Sequence, residues 1–162
     1  MSAAGAGDKP LSDAERAVIE QKLMAIYQRL EGMRAGEPEV TAPAHEWIKA
    51  QCADPTLPKD FKKKVLEKAR TLDCDAHMRA TGQALTDAGR LATEGRMAER
   101  QAKLLEANKL YGKAVTLGAP EQFRRATGRL IETVMMTGGR RAGPTAAKPA
   151  DTAPKAVRQA SP

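Results

Sequence analysis

The sequence predicts an all-α protein, a small helical bundle of about five helices with disordered N- and C-terminal tails. Apolar residues recur at alternating spacings of three and four along most of the chain, which is the periodicity of an amphipathic helix. Glycine and proline concentrate between these periodic segments. Alanine supplies 30 of the 162 residues and aromatic residues only 3 %, so the core must form by close approach of helices rather than by large side chains.

The same patterns predict one helical domain at residues 12–138, flanked by tails at residues 1–11 and 139–162. The C-terminal tail is rich in alanine and proline and carries scattered positive charge without any apolar period. Such a segment cannot bury enough surface to fold, so we expect it to be disordered.

The first helix is the clearest element. Ser12 and Glu15 have the spacing of a capping box, in which each side chain satisfies the backbone N–H of the other residue. One apolar stripe then follows at helical spacing: Ile19, Leu23, Ile26, Leu30 and Met33. Gly36 and Pro38 predict the end of this helix.

Residues 37–44 are interpreted as a connector, and Pro43 as the first turn of a short helix that reaches Cys52. Two prolines in residues 54–58 break the chain again. The segment from Lys59 to Leu72 then predicts the next helix. One face of that helix carries Phe61, Val65, Ala69 and Leu72.

Residues 80–95 contain three glycines and no proline. From Met78 onward, Thr81, Leu85, Ala88, Ala92 and Gly95 continue a seam of spacings three and four, so we predict a helix with a turn at Gly95. Gly82 and Gly89 are seven residues apart, and each costs about 1 kcal/mol relative to alanine in a helix interior. We therefore expect a neighbouring helix to pack closely there. The predicted protein-binding groove consists of Thr81, Gly82, Ala88 and Gly89.

Two further helices complete the predicted bundle. The first presents Leu104, Ala107, Tyr111 and Ala114 on one face. Gly118 fits its C-terminal cap, and Pro120 fits the start of the last helix, which should end at about Thr137. The inward face predicted for the last helix consists of Phe123, Thr127, Leu130 and Val134, with Ile131 and Met135 beside them.

The net charge of +7 is unevenly distributed along the chain. Residues 1–60 carry 7 basic and 10 acidic residues, a net −3, whereas residues 61–162 carry 20 basic and 10 acidic residues, a net +10. A basic half of this kind suits an acidic partner, although a solvated helical surface explains it equally well. The candidate phosphate-binding residues are Lys62, Lys63, Lys64, Arg124, Arg125, Arg129, Arg140 and Arg141.

Four residues have side chains that commonly bind metals: His45, Cys52, Cys74 and His77. His45 and Cys52 are two helical turns apart, about 10 Å, which is too far to share an ion. Cys74 and His77 could share one, but structural zinc sites usually combine two closely spaced pairs. We therefore predict no metal site and no cofactor. No catalytic motif is present either, so we expect no catalytic residues and no enzymatic activity.

These observations favour a non-catalytic accessory or assembly protein that acts through helix-mediated protein–protein interaction. Its partner would be another protein, or a second copy through self-association. The alternative is a protein that binds nucleic acid without sequence preference through its basic half. A third interpretation is an amphipathic coat on an apolar surface. The sequence contains no apolar run long enough to span a membrane and no secretory signal, and two cysteines suit a reducing compartment, so we expect the cytoplasm.

Overall fold

The computed structural model describes residues 9–137, and within them it confirms the all-α class. Five helices follow one another: α1 (Asp13–Met33), α2 (Pro38–Gln51), α3 (Lys59–Thr93), α4 (Met97–Thr116) and α5 (Glu121–Thr137). The predicted C-terminal tail, including Arg140 and Arg141, lies outside the described residues, as do residues 1–8 of the predicted N-terminal tail.

The helices divide into two compact units. The first unit comprises the described residues up to 80 together with 112–119, and the second comprises 81–111 together with the described residues from 120 onward. Both α3 and α4 therefore contribute one end to each unit. The sequence patterns predicted a single helical domain and carried no signal of this division.

The first unit holds the larger apolar side chains. The capping box at its start forms as predicted: Glu15 N–H donates to Ser12 Oγ (3.2 Å), and Ser12 N–H donates to the Glu15 carboxylate (2.8 Å). The apolar stripe of α1 packs onto α2 and the beginning of α3. The buried cluster there consists of Ile26, Leu30, Met33, Ala44, Ile48, Cys52, Leu57, Val65 and Ala69. Tyr27 and Phe61 meet edge to face beside it, with ring centroids 5.4 Å apart.

The predicted connector at residues 37–44 is wrong, because α2 already begins at Pro38. Pro38 takes the first helical position, where a missing N–H costs nothing. Pro43 lies inside the helix and is exposed, so its ring points away from the core while the helix gives up one backbone hydrogen bond. Thr41, Ala44 and Ile48 on the opposite side are buried, and this burial offsets the lost bond.

The segment at 59–72 and the seam that starts at Met78 form one continuous helix of 35 residues. It ends where the glycine predicts: Gly95 has φ +75°, Arg96 N–H donates to Leu91 O (2.9 Å) and Gly95 N–H donates to Ala92 O (3.1 Å). These two bonds are a Schellman motif, which satisfies the last carbonyl groups of the helix.

The end of α4 repeats this arrangement around Gly118, which has φ +91°. Ala119 N–H donates to Ala114 O and Gly118 N–H to Val115 O, both at 3.0 Å. The predicted turn at Gly95 and the predicted cap at Gly118 are therefore confirmed.

Half of the buried apolar residues of the second unit are alanines. Its buried apolar residues are Ala84, Ala88, Leu91, Leu104, Ala107 and Ile131. On α5, Ile131 is buried and Leu130 is 49 % exposed, so the prediction that Leu130 points inward is wrong. Tyr111 on α4 packs against Gly128, which lies one turn before Ile131 on α5. Tyr111 also lies against Phe123, with ring centroids 5.9 Å apart, and donates to Arg124 O (3.0 Å).

Within the described residues, no helix combines the length and the apolar character that crossing a membrane requires.

Candidate functional site

A shallow groove of about 200 Å³ lies between three helices of the second unit. Its lining is mostly apolar: Leu85, Ala88, Gly89 and Ala92 from α3, Arg100 and Leu104 from α4, and Leu130 and Val134 from α5. The side chains on α3 are small because the sequence places alanine and glycine on consecutive turns there. The exposed Leu130 stands on the opposite wall. The groove therefore has room for one large apolar side chain of another helix.

Two of the four residues predicted for a protein-binding groove, Ala88 and Gly89, line this one. Thr81 is buried elsewhere along α3, and Gly82 is exposed and does not line the groove. The prediction that another helix of the chain packs closely against Gly82 and Gly89 is wrong. Apart from the backbone of their own helix, no described atom lies within 4 Å of the position that a Cβ would take at Gly82 or Gly89.

The close approach occurs at other glycines. A Cβ at Gly128 would lie 2.7 Å from Tyr111 Oη, and a Cβ at Gly118 would lie 2.6 Å from Arg70 Nη1. Spacing along the sequence could not identify these two glycines, because the close contact at each of them is made by a side chain from a different helix.

Arg100 is the unusual residue of the groove. It is only 5 % exposed, yet no carboxylate of the described chain lies within 4 Å of it, and its guanidinium group makes no hydrogen bond to the described residues. All completely buried side-chain nitrogen atoms of the described residues do have partners. The guanidinium nitrogens must therefore keep a narrow access to solvent, and the groove that Arg100 lines provides it. A nearly buried arginine without a counter-charge is costly for the fold.

The predicted phosphate-binding residues are distributed over both units. Lys62, Lys63 and Lys64 belong to the first unit, whereas Arg124, Arg125 and Arg129 belong to the second. Lys62 is half-buried and the other five are exposed. Arg125 is paired with Glu121 at 2.6 Å, which reduces the positive charge that it presents. Since Lys62, Lys63 and Lys64 are consecutive on a helix, they point in different directions.

The first unit contains a buried network of polar side chains around Asp73 that the sequence patterns did not predict. Asp73 is 1 % exposed, and its carboxylate accepts hydrogen bonds from Thr41 Oγ1 (2.8 Å) and His45 Nδ1 (2.9 Å). His77 Nδ1 donates to the Asp73 backbone carbonyl (2.8 Å) and lies 3.2 Å from its carboxylate. His77 itself is buried, with 5 % of its surface exposed.

A signal of this network exists in the sequence. Thr41 and His45 are four residues apart on α2, and Asp73 and His77 are four residues apart on α3, so each pair shares one helix face. The pairing of the two faces depends on tertiary structure. In addition, Thr41 fell inside the segment that was interpreted as a connector.

The cysteines Cys52 and Cys74 both belong to the first unit. Both are free thiols in buried positions, and burial raises the pKa of Cys52 and of Cys74 above the ordinary value for a thiol. A raised pKa lowers the thiolate fraction and with it the reactivity. Among the described residues, no group of three or more His, Cys, Asp and Glu side chains is arranged to hold a metal ion.

No protein-family model, curated protein or solved structure matches this chain.

Proposed function

We propose that this chain is a non-catalytic accessory protein that binds an amphipathic helix of another protein in the groove of its second unit. The bound helix would insert a large apolar side chain between the small residues of α3 and the exposed Leu130. This is the helix-in-groove mode of recognition, in which apolar residues on successive turns provide anchors. The cytoplasm remains the proposed location, supported by the two free thiols.

Arg100 is the observation that carries this proposal. A charged side chain that is 5 % exposed and has no carboxylate within 4 Å in the described chain would be stabilised by an external counter-charge. A carboxylate on the bound helix, aimed into the groove, would supply a bidentate partner. The proposed ligand is therefore a helix that combines an apolar anchor with an aspartate or glutamate about one turn away.

The exposed apolar surface of α5 supports the same assignment. Phe123, Leu130 and Val134 share one stripe of α5. Phe123 and Val134 are half-buried and Leu130 is 49 % exposed, whereas Ile131 at the edge of the stripe is buried. An amphipathic helix gains little stability from an apolar stripe that remains in water. A bound helix would remove Leu130 and Val134 from solvent and complete the stripe.

The two exposed glycines of α3 allow a matched test. Gly89→Leu would fill the groove, whereas Gly82→Leu makes the same change on the same helix outside it. We expect native cell extract to yield a specific partner with the wild-type chain and with Gly82→Leu, and about a tenfold or greater loss of affinity with Gly89→Leu. The measurement is affinity purification with quantitative mass spectrometry, followed by titration with the purified partner.

Equal retention of the partner by both leucine variants would contradict the groove assignment. Analytical ultracentrifugation of the purified chain separates the two possible occupants. A dimer that is abolished only by Gly89→Leu would identify a second copy of this chain as the bound protein.

The alternative function, binding of nucleic acid, is favoured by one observation. Lys63, Lys64 and Arg124 are exposed, and none of them has a carboxylate within 4 Å in the described chain. Such unpaired cations could contact phosphates and release counterions. Nuclease treatment during the purification distinguishes the two functions. A protein that is held only through nucleic acid would be lost from the wild-type chain after this treatment, whereas a helix bound in the groove would be retained.

A further inference from the structure

A second concave surface lies in the first unit, with a volume of about 440 Å³. This size is typical of sites for small molecules. Three elements line it: α2 through His45 and Lys49, α3 through Arg70, and the end of α4 through Lys113 and Thr116. His45 is 4 % exposed and forms the inner wall, whereas the lysines and the arginine are exposed and form the rim.

The imidazole of His45 is fixed in orientation. Its Nδ1 donates to the Asp73 carboxylate at 2.9 Å, and that carboxylate is held in turn by Thr41. Within the described chain Nε2 makes no hydrogen bond. Since every completely buried side-chain nitrogen of the described residues has a partner, Nε2 must reach solvent, and the pocket that His45 lines is where it does so. A carboxylate behind one ring nitrogen is the usual arrangement for presenting the other nitrogen to a ligand.

The rim carries an excess of positive charge. Among the described residues that line the pocket, Lys49, Arg70 and Lys113 are opposed by Glu46 alone, while the Asp73 carboxylate lies behind His45. Glu46 is bonded to Lys49 at 2.8 Å, which together with the charges of His45 and Lys113 lowers the pKa of its carboxyl. The convergence of several cations on one concave surface produces a potential that attracts anions.

Arg70 is also held in place. Its Nη1 donates to the backbone carbonyl of Leu117 at 2.6 Å, at the end of α4. Gly118 makes this approach possible, because a Cβ there would lie 2.6 Å from the same nitrogen atom. The remaining guanidinium N–H groups of Arg70 stay available at the rim.

We propose that this pocket binds the phosphate group of a small molecule, with His45 Nε2 at its base and Lys113 and Arg70 at its rim. A phosphate suits His45 in either protonation state. Neutral imidazole accepts a hydrogen bond from a P–O–H group through Nε2, and imidazolium donates a hydrogen bond to a phosphate oxygen. A carboxylate without a proton suits only the imidazolium. The pocket should therefore prefer phosphate over acetate near neutral pH.

Inorganic phosphate is the probe for the test. Titration of the full-length chain, followed by NMR of the imidazole ring and of backbone amides, should shift the resonances of His45 and Thr116 along saturable curves. Lys113→Gln should weaken binding about tenfold, the loss expected for one charged contact. Lys109→Gln is the matched control, since Lys109 is an exposed lysine one turn earlier on α4 that does not line the pocket. This control should change the affinity less than twofold.

Three results would overturn the proposal. Sodium chloride at the same ionic strength could produce the same changes in the resonances of His45 and Thr116, which would mean that they report ionic screening rather than phosphate binding. Acetate could bind as tightly as phosphate, or Lys109→Gln could weaken binding as much as Lys113→Gln. Neither this pocket nor its test involves the groove of the second unit, so failure of one proposal leaves the other standing.

Discussion

We expect the charge of Arg100 to lower the stability of the fold, because this charge is nearly buried and unpaired in the described chain. Its long side chain is nearly buried next to Leu104 and Ala88, but its charge has no counter-charge in the described chain. A residue that is kept against its cost to stability is characteristic of functional sites. The cost and the proposed role can be separated by substitution.

Arg100→Met keeps the apolar part of the side chain and removes the charge. We expect the free energy of unfolding to rise by about 1 kcal/mol, because an unpaired buried cation is replaced by a side chain that packs. We expect the helical partner to be lost at the same time. Urea denaturation followed by circular dichroism measures the first effect, and titration with the partner measures the second.

Arg129→Met is the control on α5, where the arginine is exposed, and it should change stability by no more than about 0.5 kcal/mol. A destabilised Arg100→Met variant would mean that the guanidinium group supports the fold of the isolated chain.

Among the elements, α3 and α5 differ in how they use glycine. On α3, Gly82 and Gly89 face open space. On α5, Gly128 accommodates Tyr111, whose ring is fixed by Phe123 and whose hydroxyl is bonded to Arg124 O. The same substitution should therefore have opposite effects on the two helices.

Gly128→Leu should destabilise the chain by about 1–3 kcal/mol, because Tyr111 cannot move aside without losing both of its contacts. Gly89→Leu should leave stability unchanged or raise it by up to about 1 kcal/mol, because leucine is the better helix former. Denaturant midpoints of the two variants, compared with the wild type, provide the measurement. A larger loss for Gly89→Leu than for Gly128→Leu would reverse the assignment of the close contact.

Local signals predicted the elements well, and contacts between helices were predicted poorly. The capping box at Ser12 and the glycine caps at Gly95 and Gly118 depend on residues within one turn, so the sequence contains all the information that they require. The start of α2 was misplaced because Pro43 resembles a helix start, and only the burial of the helix face opposite Pro43 shows that the helix tolerates it.

The candidate groove was half predicted for the same reason. Ala88 and Gly89 stood out by their spacing, but the other walls of the groove come from α4 and α5. Arg100 resembled any other arginine on a helix surface, because its burial depends on side chains that lie far from it in the sequence. Ile131 is buried and Leu130 is exposed, the reverse of what we predicted. Periodicity shows that α5 has an apolar face, but it does not determine which edge of that face packs against the other helices.

For the molecule as a whole, the two units differ in the size of the side chains that they bury. The first contains Ile26, Met33 and Ile48 at 0 % exposure, whereas three of the six buried apolar residues of the second are alanines. Burial of apolar area stabilises by about 25 cal/mol per Å², so a core of small side chains contributes less. The second unit is also the one with the proposed groove, and binding regions are often the less stable parts of a protein.

We expect the second unit to open more readily than the first. In native-state hydrogen exchange, peptides from Leu91–Leu104 and from α5 should exchange faster than peptides from α2. Uniform protection across α2 and α5 would show instead that the described chain opens as one cooperative body. Addition of the partner helix should slow exchange in the parts of α3, α4 and α5 that line the groove, and not in α2.

The position of the single tryptophan has a consequence for spectroscopy. Trp47 is half-buried in the first unit, with the guanidinium carbon of Arg29 4.8 Å from its ring centroid. Its fluorescence therefore reports on that unit alone, whereas circular dichroism averages over all five helices. Melting curves from the two signals would coincide only if both units lost structure together, so one sample and two detectors measure the cooperativity of the whole chain.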